Sequence, residues 1–300
     1  MKLLHERKFE GFPCDYLYAR IRCRRAKLDL TGHSSRDRSS DPHTVLRSEF
    51  IWIFNQMNRP IRFLLSPVFE YFELRTLVIA LRYRAAGDLT AMDRQLQQSL
   101  LHSQILKLLG QGEPVAVMIA GLERLLTEEY LYFKGLSEIY LQQGPGGVEQ
   151  TLIGGCLQRG IACSRSEQVK NFLIYLLDTR NLLALYKHLY WQVPIAPPLL
   201  NGGTLEHKDY GKIWVKRDLP GLLLLMGKRA GLSGNPEAEG IEEFMLRGLT
   251  IDLRRRGRDS LQLGLLLDYL WRCQLTARNR GLHLSDMELS ARHSSSEVSG

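Results

Sequence analysis

Arg75, Arg180 and Arg278 are the residues whose type and placement most invite a chemical role. Each closes a helical pattern rich in Leu, Tyr and Phe: Glu73-Leu74-Arg75-Thr76-Leu77, Asp178-Thr179-Arg180-Asn181-Leu182 and Thr276-Ala277-Arg278-Asn279-Arg280. On a helix, the stripe Val169, Phe172/Leu173, Leu176/Leu177 steps next onto Arg180/Asn181. Val68 and Phe72 lead in the same way to Arg75/Thr76, and Leu267, Leu270/Trp271 and Gln274 lead to Arg278. A charge on an apolar face is costly unless it is paired and hydrogen-bonded. The guanidinium, with five donors in a fixed fork, suits backbone carbonyls or a carboxylate. The spacing predicts structural arginines that bond neighbouring loops or helices within each unit; ligand-binding arginines are the alternative.

Two basic clusters follow a different logic. Arg20, Arg24 and Lys27 recur at i, i+4, i+7 on one helix face, and Arg254, Arg255 and Arg256 end another helix. Such groups are solvated faces with favourable charge at a helix C-terminus, or they dock an acidic partner or lipid headgroups. The net charge of +8 favours acidic surfaces without choosing among them. Nucleic acid is disfavoured as a partner because aromatic interleaving and a recognisable reader motif are absent. A basic all-helical nucleic-acid-binding or scaffold protein remains the alternative that charge alone leaves open.

Catalysis lacks its usual signatures. The chain has no GxxxxGK[ST], GxGxxG after a strand, HExxH or GxSxG. Gly144-Pro145-Gly146-Gly147 lacks the Lys and Ser/Thr of a phosphate loop and reads as a connecting loop. No two of the eight histidines stand three or four apart, so a helix-borne metal site lacks its ligands. The adjacent pairs Glu128-Glu129 and Glu242-Glu243 face different ways on a helix and read as solvated charges. The five cysteines are odd in number and form no CxxC, which suggests reduced thiols in a cytosolic protein. No catalytic residue, cofactor or metal is expected.

The elements that must position these residues are helical. The chain has 55 Leu against 15 Ile and 10 Val, and Leu keeps rotamer freedom in a helix that β-branched residues lose. At 300 residues and 44% hydrophobic content it can bury a real core in one to three domains. Helices are expected over 15–28, 61–84, 91–109, 115–126, 166–191, 205–214, 237–256 and 261–280. Thr31 to Pro42 reads as a polar loop, and His293 to Gly300 as a frayed tail. No apolar run approaches the roughly 20 residues of a membrane span, and the N-terminus lacks the apolar stretch of a signal peptide.

The three arginines stand 105 and 98 residues apart. A period near one third of the chain suggests three similar helical units in tandem. Their approximate ranges are 1–110, 111–205 and 206–300, with terminal helices open to exchange between bundles.

This repeat, with three stretches around it, resembles the C subunit of V/A-type rotary ATPases, the counterpart of eukaryotic V-ATPase subunit d. The opening helix Tyr16-Leu17-Tyr18-Ala19-Arg20-Ile21-Arg22-Cys23-Arg24-Arg25-Ala26-Lys27-Leu28 is similar to the family's start, an aromatic followed by Ala-Arg-(Val/Ile)-Arg and a basic run. The second stretch is the acidic-x-Arg-Asn-Leu element at Asp178 to Leu182, followed by Gly202-Gly203-x-Leu205. The third is Asp268-Tyr269-Leu270 followed by Ala277-Arg278-Asn279. The resemblance covers essentially the whole chain. It departs from the family pattern at Thr276, where an acid is usual, at Arg280, where Leu is usual, and at Thr76 in place of Asn.

The resemblance implies a funnel of three helical bundles at the cytoplasmic face of a membrane. One copy per complex would rest on the proteolipid ring and receive the foot of the central shaft. It would transmit torque in proton or sodium transport or ATP synthesis and catalyse nothing.

Overall fold

The computed structural model describes residues 1–6, 10–31, 42–97, 99–258 and 263–279, without the side chains of 27–31 and 42–45. Of the expected polar loop from Thr31 to Pro42, residues 32–41 lie outside these residues, as do the C-terminal tail and Arg280, while Thr31 and Pro42 belong to helices. The described chain is all-helical; its one extended feature is an isolated antiparallel bridge between Leu4 and Leu101.

Six helices precede the middle of the chain: α1 (Cys14–Thr31), α2 (Pro42–Gln56), α3 (Arg59–Ala85), α4 (Leu89–Leu96), α5 (Ser103–Gly110) and α6 (Val115–Leu126). A single 3-10 turn (Leu131–Phe133) leads into α7 (Leu136–Cys163) and α8 (Glu167–Tyr190). Then come α9 (His207–Lys216), α10 (Leu219–Ala230), α11 (Pro236–Glu239) and α12 (Ile241–Arg256). A last helix, α13, spans 263–279.

Local chemistry explains the boundaries. Asn58 caps α3 by accepting from the Ile61 amide at 3.0 Å, with Pro60 in the first turn. Asp218 caps α10 by accepting from the Gly221 amide at 2.8 Å. The expected helix over 91–109 divides into α4 and α5. The segment between them bonds the N-terminal arm instead, through His5 N to Leu100 O and His102 N to Leu3 O. The expected loop at Gly144 to Gly147 is a kink inside α7. Gly144 takes φ +66, and Pro145 opens the following helical segment, where its missing N–H costs nothing. The helix expected from Glu237 breaks at Gly240, whose φ is +85. The apolar run Leu222 to Met226 lies in α10, outside the helices expected from periodicity.

Buried side chains form two clusters. The first joins α1, α2 and the N-terminal half of α3 to α8, α10, α12 and α13. The second joins the C-terminal half of α3 to α5, α6 and α7. The first runs across both expected unit limits, 110/111 and 205/206, and the second runs across 110/111, so neither core is confined to one third of the chain. No described helix is long and apolar enough to cross a membrane.

Candidate functional site

Three of the longest helices carry a fully or nearly fully buried carboxylate: Glu73 on α3, Asp178 on α8 and Asp268 on α13. On α8 the inward row steps by four residues through Leu173, Leu177, Asn181, Leu185 and Leu189, all buried. Asp178 lies beside that row. Its carboxylate accepts from the Thr204 amide at 3.0 and 3.3 Å and from Arg229 Nε at 2.7 Å. The Arg229 guanidinium sits 4.2 Å from the Tyr175 ring centre. One turn on, the Asn181 amide group clamps Leu200, donating to its carbonyl and accepting from its N–H, both at 2.9 Å. A Cβ on Gly203 would lie 2.1 Å from Asp178 Oδ1, so only glycine lets the loop approach. Asp178 and Asn181 together latch the 200–204 loop onto α8 and α10.

The same device occurs on α3. Ser99 Oγ donates to Glu73 at 2.6 Å and itself accepts from the Leu101 amide at 3.0 Å. Glu73 reaches 26 residues forward to Ser99, and Asp178 reaches 26 residues forward to Thr204. Burial pushes the Glu73 carboxyl up to about 7, against the opposing pull of Ser99, the Leu100 backbone and Arg47. One turn before it, Glu70 accepts from Tyr130 Oη and from Arg159 Nη1, each at 3.1 Å. Burial raises the Glu70 carboxyl too, with Arg159 and Tyr130 opposing. Tyr130 Oη accepts from the Leu3 amide at 3.0 Å, which fixes the N-terminal arm.

The last third uses a variant. Asp268 accepts from Arg272 Nε at 3.1 and 3.0 Å, one turn along α13, and from Arg25 Nη1 of α1 at 3.2 Å. A Cβ on Gly257 would meet the Asp268 Cβ at 2.9 Å, so the end of α12 also packs on this acid. Thr276, which stands before Arg278 as Glu73 and Asp178 stand before their arginines, forms no such latch among the described residues. The third carboxylate instead binds the first third of the chain to the last.

The geometry corrects the inward placement of the repeated arginines, while Arg278 does bond a neighbouring helix of its own third, as expected. Arg75 is exposed, Arg180 is half-buried at the rim, and Arg278 pairs at the surface with Glu243 at 2.7 Å and Glu242 at 3.5 Å. The acid stands two residues before the arginine, which is about 200° around a helix. If Glu73 and Asp178 point inward, Arg75 and Arg180 cannot. Glu73 and Asp178 stand 105 residues apart, as Arg75 and Arg180 do, and it is the acid of each pair that faces inward. The missed signal was the acid together with a glycine or serine about 25 residues later.

The basic faces also divide. Arg24 lies 3.7 Å from the Trp52 ring centre and pairs with Glu49, which also accepts from Tyr269 Oη at 2.9 Å. Arg20 donates to Gln56 at 3.0 Å and lies 5.0 Å from the same indole. Both were expected on a solvated or docking face; both fasten α1 to α2, because Glu49, Trp52 and Gln56 form a matching row at i, i+3, i+7. The Lys27 side chain lies outside the described residues. Arg256 pairs with Asp252 at 2.9 Å, whereas Arg254 and Arg255 are exposed. No group of three or more His, Cys, Asp or Glu converges among the described residues in a way that could hold a metal.

No protein-family model and no curated protein sequence matches this chain.

Proposed function

We propose that the chain is a non-catalytic rotor subunit of a V/A-type rotary ATPase, joining the soluble shaft to the membrane proteolipid ring. The observation that carries this reading is the latch at Asp178, Asn181 and Gly203. Those residues are the acidic-x-Arg-Asn-Leu and Gly-Gly elements on which the resemblance rests, and α3 repeats the latch at the same 26-residue reach. A torque coupler needs joints that hold loops to long helices under cyclic load, and buried charge-assisted bonds provide them. In this reading the chain forms three pseudo-equivalent bundles in a funnel, with α1 exchanged onto the last third through Arg25 and Asp268. It sits at the cytoplasmic face of the membrane.

Arg254 and Arg255 remain as the exposed members of the candidate docking set, suited to an acidic shaft end, where charge directs docking more than it adds affinity. Membranes stripped of this chain should lose ATP-driven ion transport while the released catalytic head still hydrolyses ATP. Adding the chain back should restore transport, and an Arg254→Glu/Arg255→Glu variant should restore it poorly. Unchanged ion transport after complete removal of the chain would refute the coupling role.

A further inference from the structure

An open groove of about 350 Å³ lies between the last turns of α8 and the start of α12. Leu183 and Ile241 line it where it meets the first core cluster. Tyr186 and Tyr190 line its α8 side, their rings stacked at 5.6 Å and 22°. Trp191 continues that side and is 66% exposed, with Tyr190 at 59%. These aromatics are held in place. Tyr186 Oη donates to Glu237 at 3.3 Å, and the Trp191 amide donates to Lys187 O at 3.0 Å. Large rings kept in water on a fixed backbone form an apolar patch of the kind that takes a partner.

The charges of the groove are divided between its two sides. Glu237 and Glu242 stand on the α11–α12 side, and Lys187 stands on the α8 side. All three are exposed. An occupant that suits the groove is apolar, with a cation toward α12 and an anion toward α8.

The chain itself arrives at this place. α13 packs back along α12, and Arg278 in its last turn reaches Glu242 at 3.5 Å and Glu243 at 2.7 Å. Glu242 lines the groove, so the described chain stops at the groove's acidic edge. Residues 280–300 lie outside the described residues. Their sequence continues with Arg280, Leu282, His283 and Leu284, then Asp286 and Met287. The basic residues come first, beside the acids, and Asp286 follows at the distance of a groove width, toward Lys187. A chain spans at most about 3.6 Å per residue, so Leu284 stays within about 21 Å of Arg278. Arginine also stacks on Tyr and Trp faces, which the α8 side supplies.

We propose that residues 280–287 of this same chain occupy the groove, with Leu282 and Leu284 against its aromatic side and Arg280 beside Glu237 and Glu242. The proposal concerns a contact within the chain and is independent of the rotor reading.

The test uses the full chain with photoreactive p-benzoylphenylalanine placed at Leu284, mixed with an isotope-labelled copy before irradiation. Mass spectrometry should find links to Tyr186, Tyr190, Trp191 or Ile241 that carry a single label, and so lie within one chain. Glu237→Lys/Glu242→Lys should lower the linked fraction about fivefold, on the scale of two exposed ion pairs. Adding Arg280→Glu/His283→Glu to that variant should restore it. Glu243 is retained for Arg278, and far-UV circular dichroism should be unchanged. Without the photoreactive group, Leu282→Ser/Leu284→Ser should raise acrylamide quenching of the tryptophan emission, and should not raise it when Trp191→Phe is also present. Links scattered over the surface, a linked fraction indifferent to the groove charges, or quenching unchanged by the serine substitutions would overturn the proposal. Links of mixed label to the same groove residues would overturn it as well, assigning the groove to a second copy of the chain.

Discussion

Asp178→Ala should lower the unfolding free energy by about 3–5 kcal/mol, while Arg180→Ala, two residues away, should cost under about 1 kcal/mol. Asp178 is fully buried, and removing it strands the Arg229 guanidinium and the Thr204 amide in a site with little water. The cost is chiefly that of the partners left unpaired. Arg180 sits at the rim with no ion pair among the described residues, so its truncation strands nothing. Urea unfolding should report the difference as a shifted midpoint at constant slope. The same substitution should free the 200–204 loop, so hydrogen exchange should accelerate at Leu200 and Thr204 before the rest of α8 is affected. Equal costs from the two substitutions would mean that the acid is not the working member of the repeat.

The second large effect is on pH. In the folded chain Glu73 binds its proton up to about 7, whereas an unburied glutamate releases it near 4.5. Between those values the folded state holds more protons than the unfolded one, so stability falls as pH rises through the window. At about 1.4 kcal/mol per pKa unit the loss approaches about 3 kcal/mol by pH 8. Glu70 shifts in the same direction and adds to the slope. Glu73→Gln keeps a group able to bond Ser99 without the charge, so the variant should gain on the wild type as pH increases from 5 to 8. The difference between the two unfolding curves isolates Glu73, because Glu70 is common to both. Parallel curves across that range would show that Glu73 keeps an ordinary affinity for its proton.

The all-helical class was readable from 55 leucines and the scarcity of β-branched residues. The 105-residue spacing of Arg75 and Arg180 is also that of Glu73 and Asp178, the two acids that bond a loop 26 residues on. The inward residue was not readable from the pattern alone. Phe172/Leu173 and Leu176/Leu177 fit rows leading to either Arg180 or Asn181, and the choice between them is one step of about 100°. The structure takes the Asn181 row, and Asp178 is carried in with it. Arg20 and Arg24 were misplaced for another reason. Their partners Glu49 and Trp52 lie across the polar stretch before α2, and helix periodicity is blind to contacts between elements. The kink at Gly144 escaped because Gly-Pro-Gly-Gly reads locally as a loop. A proline opening a helical segment loses no hydrogen bond, so the packing of α7 against α3 and α8 can carry the helix on.

The most direct test of the coupling role is affinity isolation of the tagged full chain from its native membranes, in mild detergent, with the captured chains identified by mass spectrometry. The proposed function predicts co-isolation of a small, very hydrophobic proteolipid together with central-shaft subunits, with one copy of this chain per complex. Recovery of the chain alone, or with nucleic acid or unrelated soluble proteins and no proteolipid, would contradict it.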